Sequence, residues 1–444
     1  MTTTTRAAIA PGGWPVLGHT LALLRRPLEF LVSLPAQGDL VEIRIGPQRM
    51  WVVCCPELTH HVLRDGHTYD KGGPLYDQGR MIVGDGLVTC AHGPHQRQRR
   101  LLQPAFTRDR LAVYATEMSR QLDAALATWR DGQVINVLGA MNEITTRVTA
   151  RALFTTPLSP QQSTDLLHSL TTLVEGVFPR MIMPAWLRRA PLAVNRRCDQ
   201  ASSTMDTLTY EIINAYRREG VDHGDLLSMM LAARDEHGDA LTDTELRDQV
   251  LTFWIAGTET TASLLAWSLH LLAQHPHVTR RLQTEVDDVL GGRVADHADV
   301  TRLDYTTRVL TETLRLYPPG LIFTRVLTTE TTLANKTLPT GTILIYSPYL
   351  IHRRSDLYPN PNHFDPDRWL PDHTTTPPRG AFIPFGGGTR RCIGDTFAMI
   401  EATLALATIT TRWHLHPLPG TTTQPRARSS LKPHRLRMQL HHRH

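Results

Sequence analysis

Lysine is nearly missing from this chain of 444 residues: of 47 cationic side chains only Lys71, Lys336 and Lys432 are lysine, the rest being arginine. The net charge of +5 is mild for that length. It excludes the dense basic surface of a nucleic-acid binder but allows a local basic patch for an acidic protein. Cysteine is scarce and odd in number, five over the whole chain, which argues against a disulfide framework and for a reducing, cytoplasmic setting. No apolar core of signal-peptide length follows Met1. The longest apolar stretch, Val250 to Ala273, is interrupted by Glu259, Thr260, Thr261 and His270, which makes it a poor membrane span and a good interior helix. Neither a phosphate-cradling loop nor a dinucleotide fingerprint is complete, because Gly386 to Gly388 runs on into Thr389, Arg390 and Arg391. No Ser/Gly linker, charge run or repeat divides the chain, so residues 1–444 read as a single domain.

What is present is mostly helical. From Pro56 to about Leu290 apolar residues recur at helical spacing, with breaks at Gly72 to Gly86, Pro157 to Pro160, Pro179 to Pro191 and Val221 to Gly224. Strand-like segments fall in two places. Within about 10–60, Leu40 to Ile45 and Met50 to Cys54 flank Gly46-Pro47 as a hairpin, and a second β-prone region spans 322–347. The fold class is therefore mainly α with small β-sheets. The best-marked helix begins near Asp243. Thr242 is its N-cap, Glu245 completes a capping box, Leu241 staples onto Leu246, and the helix runs to His275-Pro276.

The chemistry concentrates in four segments. Cys392 closes Phe385-Gly-Gly-Gly-Thr-Arg390-Arg-Cys392-Ile-Gly394, just before an Ala-rich helix over Thr396 to Thr411. Nearby arginines and a helix N-terminus favour thiolate over thiol, and three glycines let the backbone pass close to something large and flat. Zinc is excluded, since no second Cys or His lies at ligand spacing, and the covalent haem signature C-x-x-C-H does not occur. A single axial thiolate to a haem iron remains. Inside the long helix, Ala256-Gly257-Thr258-Glu259-Thr260-Thr261 breaks the apolar pattern, and its hydroxyls predict a bend or bulge that exposes a hydroxyl and a carboxylate. Glu312 and Arg315, three apart on one helix face, make an ordinary surface pair unless buried with a further partner, for which Arg368 is the candidate. Finally, His95 and Arg99 share a helix face within His95 to Phe106 and can meet one carboxylate together.

Together these segments resemble the cytochrome P450 family of haem-thiolate monooxygenases, over essentially the whole chain and in the manner of its soluble bacterial, actinobacterial natural-product members. The resemblance implies a P450-like fold, a single triangular helical body with the haem between the long central helix and the cysteine-loop helix. It makes Cys392 the axial ligand of haem b, with Phe385 in the cofactor-binding loop. It assigns the propionates to His95, Arg99, Arg325, Arg390 and Lys71, and a scaffold role to Glu312, Arg315 and Arg368. Thr260 and Glu259 become the catalytic pair that handles protons while O2 is activated with NAD(P)H-derived electrons.

Those electrons are expected from a ferredoxin and its ferredoxin reductase, with Arg97, Arg100, Arg108, Arg110 and Arg391 as a basic dock. The expected substrate is a hydrophobic small molecule of terpenoid or polyketide type. Its pocket would be lined by the loop around Leu75, Met81, Ile82 and Val83, by Phe178, Met181 and Ile182, by Phe253 and Ala256, and by Ile322 and Phe323. A monomer without membrane or nucleic-acid partners completes the expectation. Two other readings stay open at this stage: a haem-thiolate peroxygenase or rearrangement enzyme that needs no redox partner, and a non-catalytic haem sensor. Cys54, Cys55, His60 and His61 read as core and surface rather than as a metal site, and His441 to His444 as a basic tail.

Overall fold

Alternating β-branched and apolar residues in Leu40–Ile45 and Gln48–Val53 produce the predicted hairpin in the computed structural model, with Val41 opposite Val52 and Leu40 opposite Val53. Gly46, at φ +57, supplies the left-handed residue that the tight connection demands. The structure describes the whole chain except residues 1–5, 156–158, 160, 163, 167, 170, 174–175, 177–186, 188–189, 372–376, 428–429 and 444. Phe178, Met181 and Ile182 thus lie outside the described residues. Two compact units emerge, Met1–Tyr76 with Thr311–Cys392, and Asp77–Leu310 with Ile393–His444.

The first unit is built on a six-stranded sheet. Its spatial order is Ala7–Ile9, Leu40–Ile45, Gln48–Val53, Ile343–Tyr346, Phe323–Leu327 and Tyr69–Asp70. The outer pair on one side and the Gln48–Val53 to Ile343–Tyr346 pair are parallel, the rest antiparallel. Ile343–Tyr346 is buried along its whole length, as a strand central to a sheet should be. Leu40, Val53, Val62, Tyr69, Leu327 and Leu344 close one core on this sheet. Cys54 and Cys55 are buried here as expected, and burial pushes both thiols up, Cys55 to about 12; neither is a ligand in waiting.

The second unit is helical and centred on Asp243–Gln274, whose capping box forms as predicted: the Thr242 hydroxyl accepts from the Glu245 N–H and the Glu245 carboxylate from the Thr242 N–H. Leu241 and Leu246 are both buried in the core of this unit. At 32 residues the helix is about 48 Å long. It runs without interruption, so the expected bulge at Gly257 is absent. The reason for glycine there is packing: an added Cβ would stand 3.0 Å from the hydroxyl of Thr149 on the neighbouring helix Val137–Leu153. On that same contact the Thr145 hydroxyl donates to the Thr258 carbonyl.

The C-terminal helix Asp395–Arg412, buried from Ile400 to Thr411, packs on the long helix. The chain then returns as Trp413–Pro417, pairs with Arg437–His442, and a separate hairpin joins Gln424–Ala427 to Leu431–His434. His441 and His442 are therefore strand residues and not a tail. A second correction concerns Leu75, Met81, Ile82 and Val83, read above as a loop. They lie in a helix, Pro74–Val83, which starts on a proline suited to the first helical position and ends at Gly84, φ +60.

Candidate active site

The cysteine loop is held by its own backbone. The Cys392 N–H donates to the Phe385 carbonyl at 2.9 Å, and the Gly386 N–H to the Ile383 carbonyl at 3.0 Å. Gly386 and Gly388 both adopt left-handed φ, +70 and +63. At Gly388 a Cβ would lie 1.9 Å from the Leu63 carbonyl oxygen, in the helix Pro56–Arg64 on which the loop rests, so both conformation and space require glycine. Cys392 itself is exposed, in contrast to the other four cysteines, which are buried. Its loop carries the thiol out of the core and presents it.

Three cations of the same unit are linked behind this loop. Asp70, paired in register with Val326, accepts from Arg390 Nη2 at 2.7 Å with Arg390 buried. Lys71 Nζ stands 5.5 Å above the Tyr76 ring. Arg325 is 2% exposed; it donates to the Thr324 carbonyl at 3.0 Å and the Tyr346 hydroxyl at 3.5 Å. No carboxylate among the described residues pairs with it. A buried guanidinium served only by neutral oxygens and two phenols is a site that suits an anion. Burial pushes the Tyr346 phenol up to about 12, so it stays neutral. Asp70, Tyr76 and Tyr346 were invisible to motif reading; only the fold brings them to the arginines.

In the second unit, His95 is buried on the helix His92–Leu102, and Arg99 one turn on donates through Nε to Gln103 at 2.9 Å. The long helix is buried around most of its middle, yet Ala256 and Thr260 are exposed and Phe253 and Gly257 half-buried, at the i, i+3, i+4 and i+7 spacing of one face. Thr260 donates its hydroxyl proton to the Ala256 carbonyl at 2.7 Å. Glu259 lies off that face. Its Oε1 accepts from Ser430 Oγ at 2.6 Å and meets Lys432 Nζ at 2.5 Å, partners 171 or more positions away that no local pattern could announce.

The other predicted pocket residues are distributed as follows. Ile82 and Val83 are buried in the core with Leu87 and Trp254, and Phe253 packs against them, while Met81 is 52% exposed. Leu75 and Ile322 are half-buried; Phe323 stacks on Tyr346 at 5.2 Å.

The structural pair is buried rather than superficial. Glu312 and Arg315 are both 0% exposed and joined by two hydrogen bonds of 2.7 and 2.8 Å. Arg368 reaches Glu312 at 3.4 Å, and Trp369 Nε1, not anticipated, donates to it at 2.9 Å. Arg315 also donates to the carbonyls of His352, Pro361 and His363. The basic dock fares differently. Arg97 is held by Asp235 and Glu245, and Arg100 by Glu236, so their charge is offset locally.

A family model described as cytochrome P450 matches residues 10–440. The chain belongs to the cytochrome P450 family. Cyclooctatin synthase of Streptomyces melanosporofaciens is 47% identical to this P450 over 98% of the chain and 95% of that protein. Pentalenene oxygenase of Streptomyces avermitilis is 44% identical over 98% and 97%, and cyclooctat-9-en-7-ol 5-monooxygenase of Streptomyces melanosporofaciens 44% identical over 93% and 90%. The crystal structure of the cytochrome P450DA heme domain superposes with a TM-score of 0.90 at 28% identity, covering 100% of this chain and 99% of that one. This P450 is accordingly an oxidoreductase, a haem-thiolate monooxygenase. The residues of the first unit fit the group: a presented thiol and a buried arginine suited to a carboxylate. Among the described residues no helix is long and apolar enough to cross a membrane.

Proposed function

We propose that Cys392 is the haem ligand and that this P450 oxidises a hydrophobic secondary metabolite of terpenoid or polyketide type, with electrons from a ferredoxin and its reductase. The observation that carries the reading is the exposed Cys392 thiol, presented by a loop that both backbone angle and space restrict to glycine. When bound, the haem supplies reductive activation of O2 and transfer of one oxygen atom to the substrate.

The chain's own groups do the rest. Arg325, Arg390, Lys71, His95 and Arg99 neutralise the propionates, and charge-assisted hydrogen bonds fix their direction. Thr260, whose proton is committed to the Ala256 carbonyl, offers its oxygen lone pairs outward and so holds a hydrogen-bond donor on the open stripe. Glu259, the adjacent acid, replenishes protons from the hairpin side. Phe385, whose carbonyl accepts from the Cys392 N–H, holds the cysteine loop in place. Apolar side chains at Leu75, Met81, Ile82, Val83, Phe253, Ala256, Ile322 and Phe323 orient the substrate by shape and exclude water. Relatives named for pentalenene and cyclooctat-9-en-7-ol, each 44% identical, support the substrate class. Arg108, Arg110 and Arg391 are the cations of the ferredoxin dock, since Arg97 and Arg100 are offset by Asp235, Glu245 and Glu236. The same reading makes the protein a cytoplasmic monomer that unfolds as one domain, which light scattering and a single calorimetric transition test.

The deciding experiment is Thr260→Ala in the reconstituted enzyme. Haem content and substrate affinity should be kept while electrons are diverted to hydrogen peroxide. Product formation that still accounts for all the reductant would sink the assignment. Cys392→Ser should abolish the red-shifted absorption of the ferrous carbonyl complex that a thiolate ligand produces.

A further inference from the structure

Glu259 is gripped in an unusually organised way for a residue on the flank of an open helix face. Ser430 and Lys432 both reach the same carboxylate oxygen, at 2.6 and 2.5 Å. Their side chains are largely enclosed, with Glu259 at 14% exposure and Lys432 at 25%. Leu431, between them, is pinned: its carbonyl accepts from Ser263 Oγ at 2.8 Å and Trp267 Nε1 at 2.9 Å, all within the buried interior. The strand Leu431–His434 is therefore fixed at one carbonyl on the long helix, and the residues on either side turn back toward one acid. Lys432 is one of three lysines in the chain. Unlike guanidinium, an ammonium is a compact point charge on a flexible stem, able to release and regain a single oxygen.

We propose that Lys432 and Ser430 are positioning residues for proton delivery, holding the Glu259 carboxylate in the orientation from which it passes protons toward the Thr260 side. This rests on the reading of Glu259 as the proton-supplying acid. The C-terminal helix contributes Glu401, next to Thr261, and Val137–Leu153 contributes Glu143 and Arg147, which pair with one another. Proton supply then depends on the hairpin, which can couple it to whatever disturbs Gln424–His434.

The test compares Lys432→Met, Lys432→Arg, Glu259→Gln and the double variant Glu259→Gln/Lys432→Met in the haem-loaded enzyme with a ferredoxin system. Lys432→Met should leave the ferric absorption spectrum and the KM for substrate unchanged. Its kcat for product should fall by about tenfold, the order of one hydrogen bond to a charged group, with hydrogen peroxide rising and the solvent isotope effect on product formation altered. Lys432→Arg should recover most of the loss. Adding Lys432→Met to Glu259→Gln should cost nothing further. Independently of turnover, hydrogen exchange of the ferric enzyme should speed up over residues 424–434 in Lys432→Met and Glu259→Gln alike. Full product yield in Glu259→Gln would remove the acid reading and this inference with it. If Glu259→Gln is uncoupled while Lys432→Met is not, or their losses add in full, or hairpin exchange is unmoved, the inference alone falls.

Discussion

Glu312 in the first unit and Glu401 in the second are both sealed from water at 0% exposure, and they are kept there by opposite means. Glu312 collects two contacts from Arg315, one each from Arg368 and Trp369, and the Asp365 N–H. Glu401 makes no geometric hydrogen bond among the described residues, and the nearby Thr261 hydroxyl lowers its proton affinity too little to offset burial, so its carboxyl is pushed well above the usual range. One acid is held by its donors; the other survives by keeping its proton. The lesson is that burial alone says nothing about charge: the count and sign of donors decides.

That contrast can be broken from either end. The largest effect is expected for Glu312→Ala, which leaves the buried Arg315 guanidinium without its carboxylate. A loss of about 3–5 kcal/mol is the order for such a break, read as a collapse of the denaturation midpoint or of folded yield. Next come two pH effects of opposite sign. His352, fully buried with Nδ1 at the Arg315 carbonyl and Nε2 at the Ile383 N–H, is pushed down to about 3, first by burial and then by Arg315. The unfolded chain therefore binds a proton that the folded one refuses, and stability should fall as pH drops from about 6.5 toward 3. The melting temperature of His352→Gln should vary less across that window.

Glu401 runs the other way. Its folded proton affinity exceeds the unfolded one, so its contribution is complete below the ordinary carboxylate range and is lost as pH rises through the folded value. Glu401→Gln should flatten that alkaline decline, and an unchanged profile would show the acid to be solvated. The smallest effect belongs to Trp369→Phe, which removes one of several donors to Glu312. About 1–2 kcal/mol of stability should go, with the haem spectrum untouched.

Legibility followed the range of the interactions. The capping box at Thr242 and Glu245 and the Glu312–Arg315 pair are each written within four residues and the hairpin around Gly46 within one short stretch, and all three formed. Arg368 came into view as the further partner that a buried Glu312–Arg315 pair needs; Trp369 beside it carries no such mark yet donates to the same carboxylate. Gly257 was legible as special but for the wrong reason, since only the approach of Thr149 explains it. Arg97 and Arg100 read as free cations because Asp235, Glu236 and Glu245 lie more than a hundred positions away. The partners of Glu259 were hidden in the same way, being carried in by the hairpin of Gln424–Ala427 and Leu431–His434.

The near absence of lysine turns the grip on Glu259 into a chemical handle. Acylating reagents modify amines and leave guanidinium groups charged, so treatment with acetic anhydride can neutralise only three side chains and the terminal amine. Lys336 stands exposed above Trp51, Lys71 lies half-buried above Tyr76, and Lys432 is largely enclosed by its carboxylate partner. Reaction should proceed in that order, and the arginine surface would pass through unaltered. Mild acetylation of the native enzyme thus becomes a nearly site-resolved titration of its hairpin, without a single codon being changed.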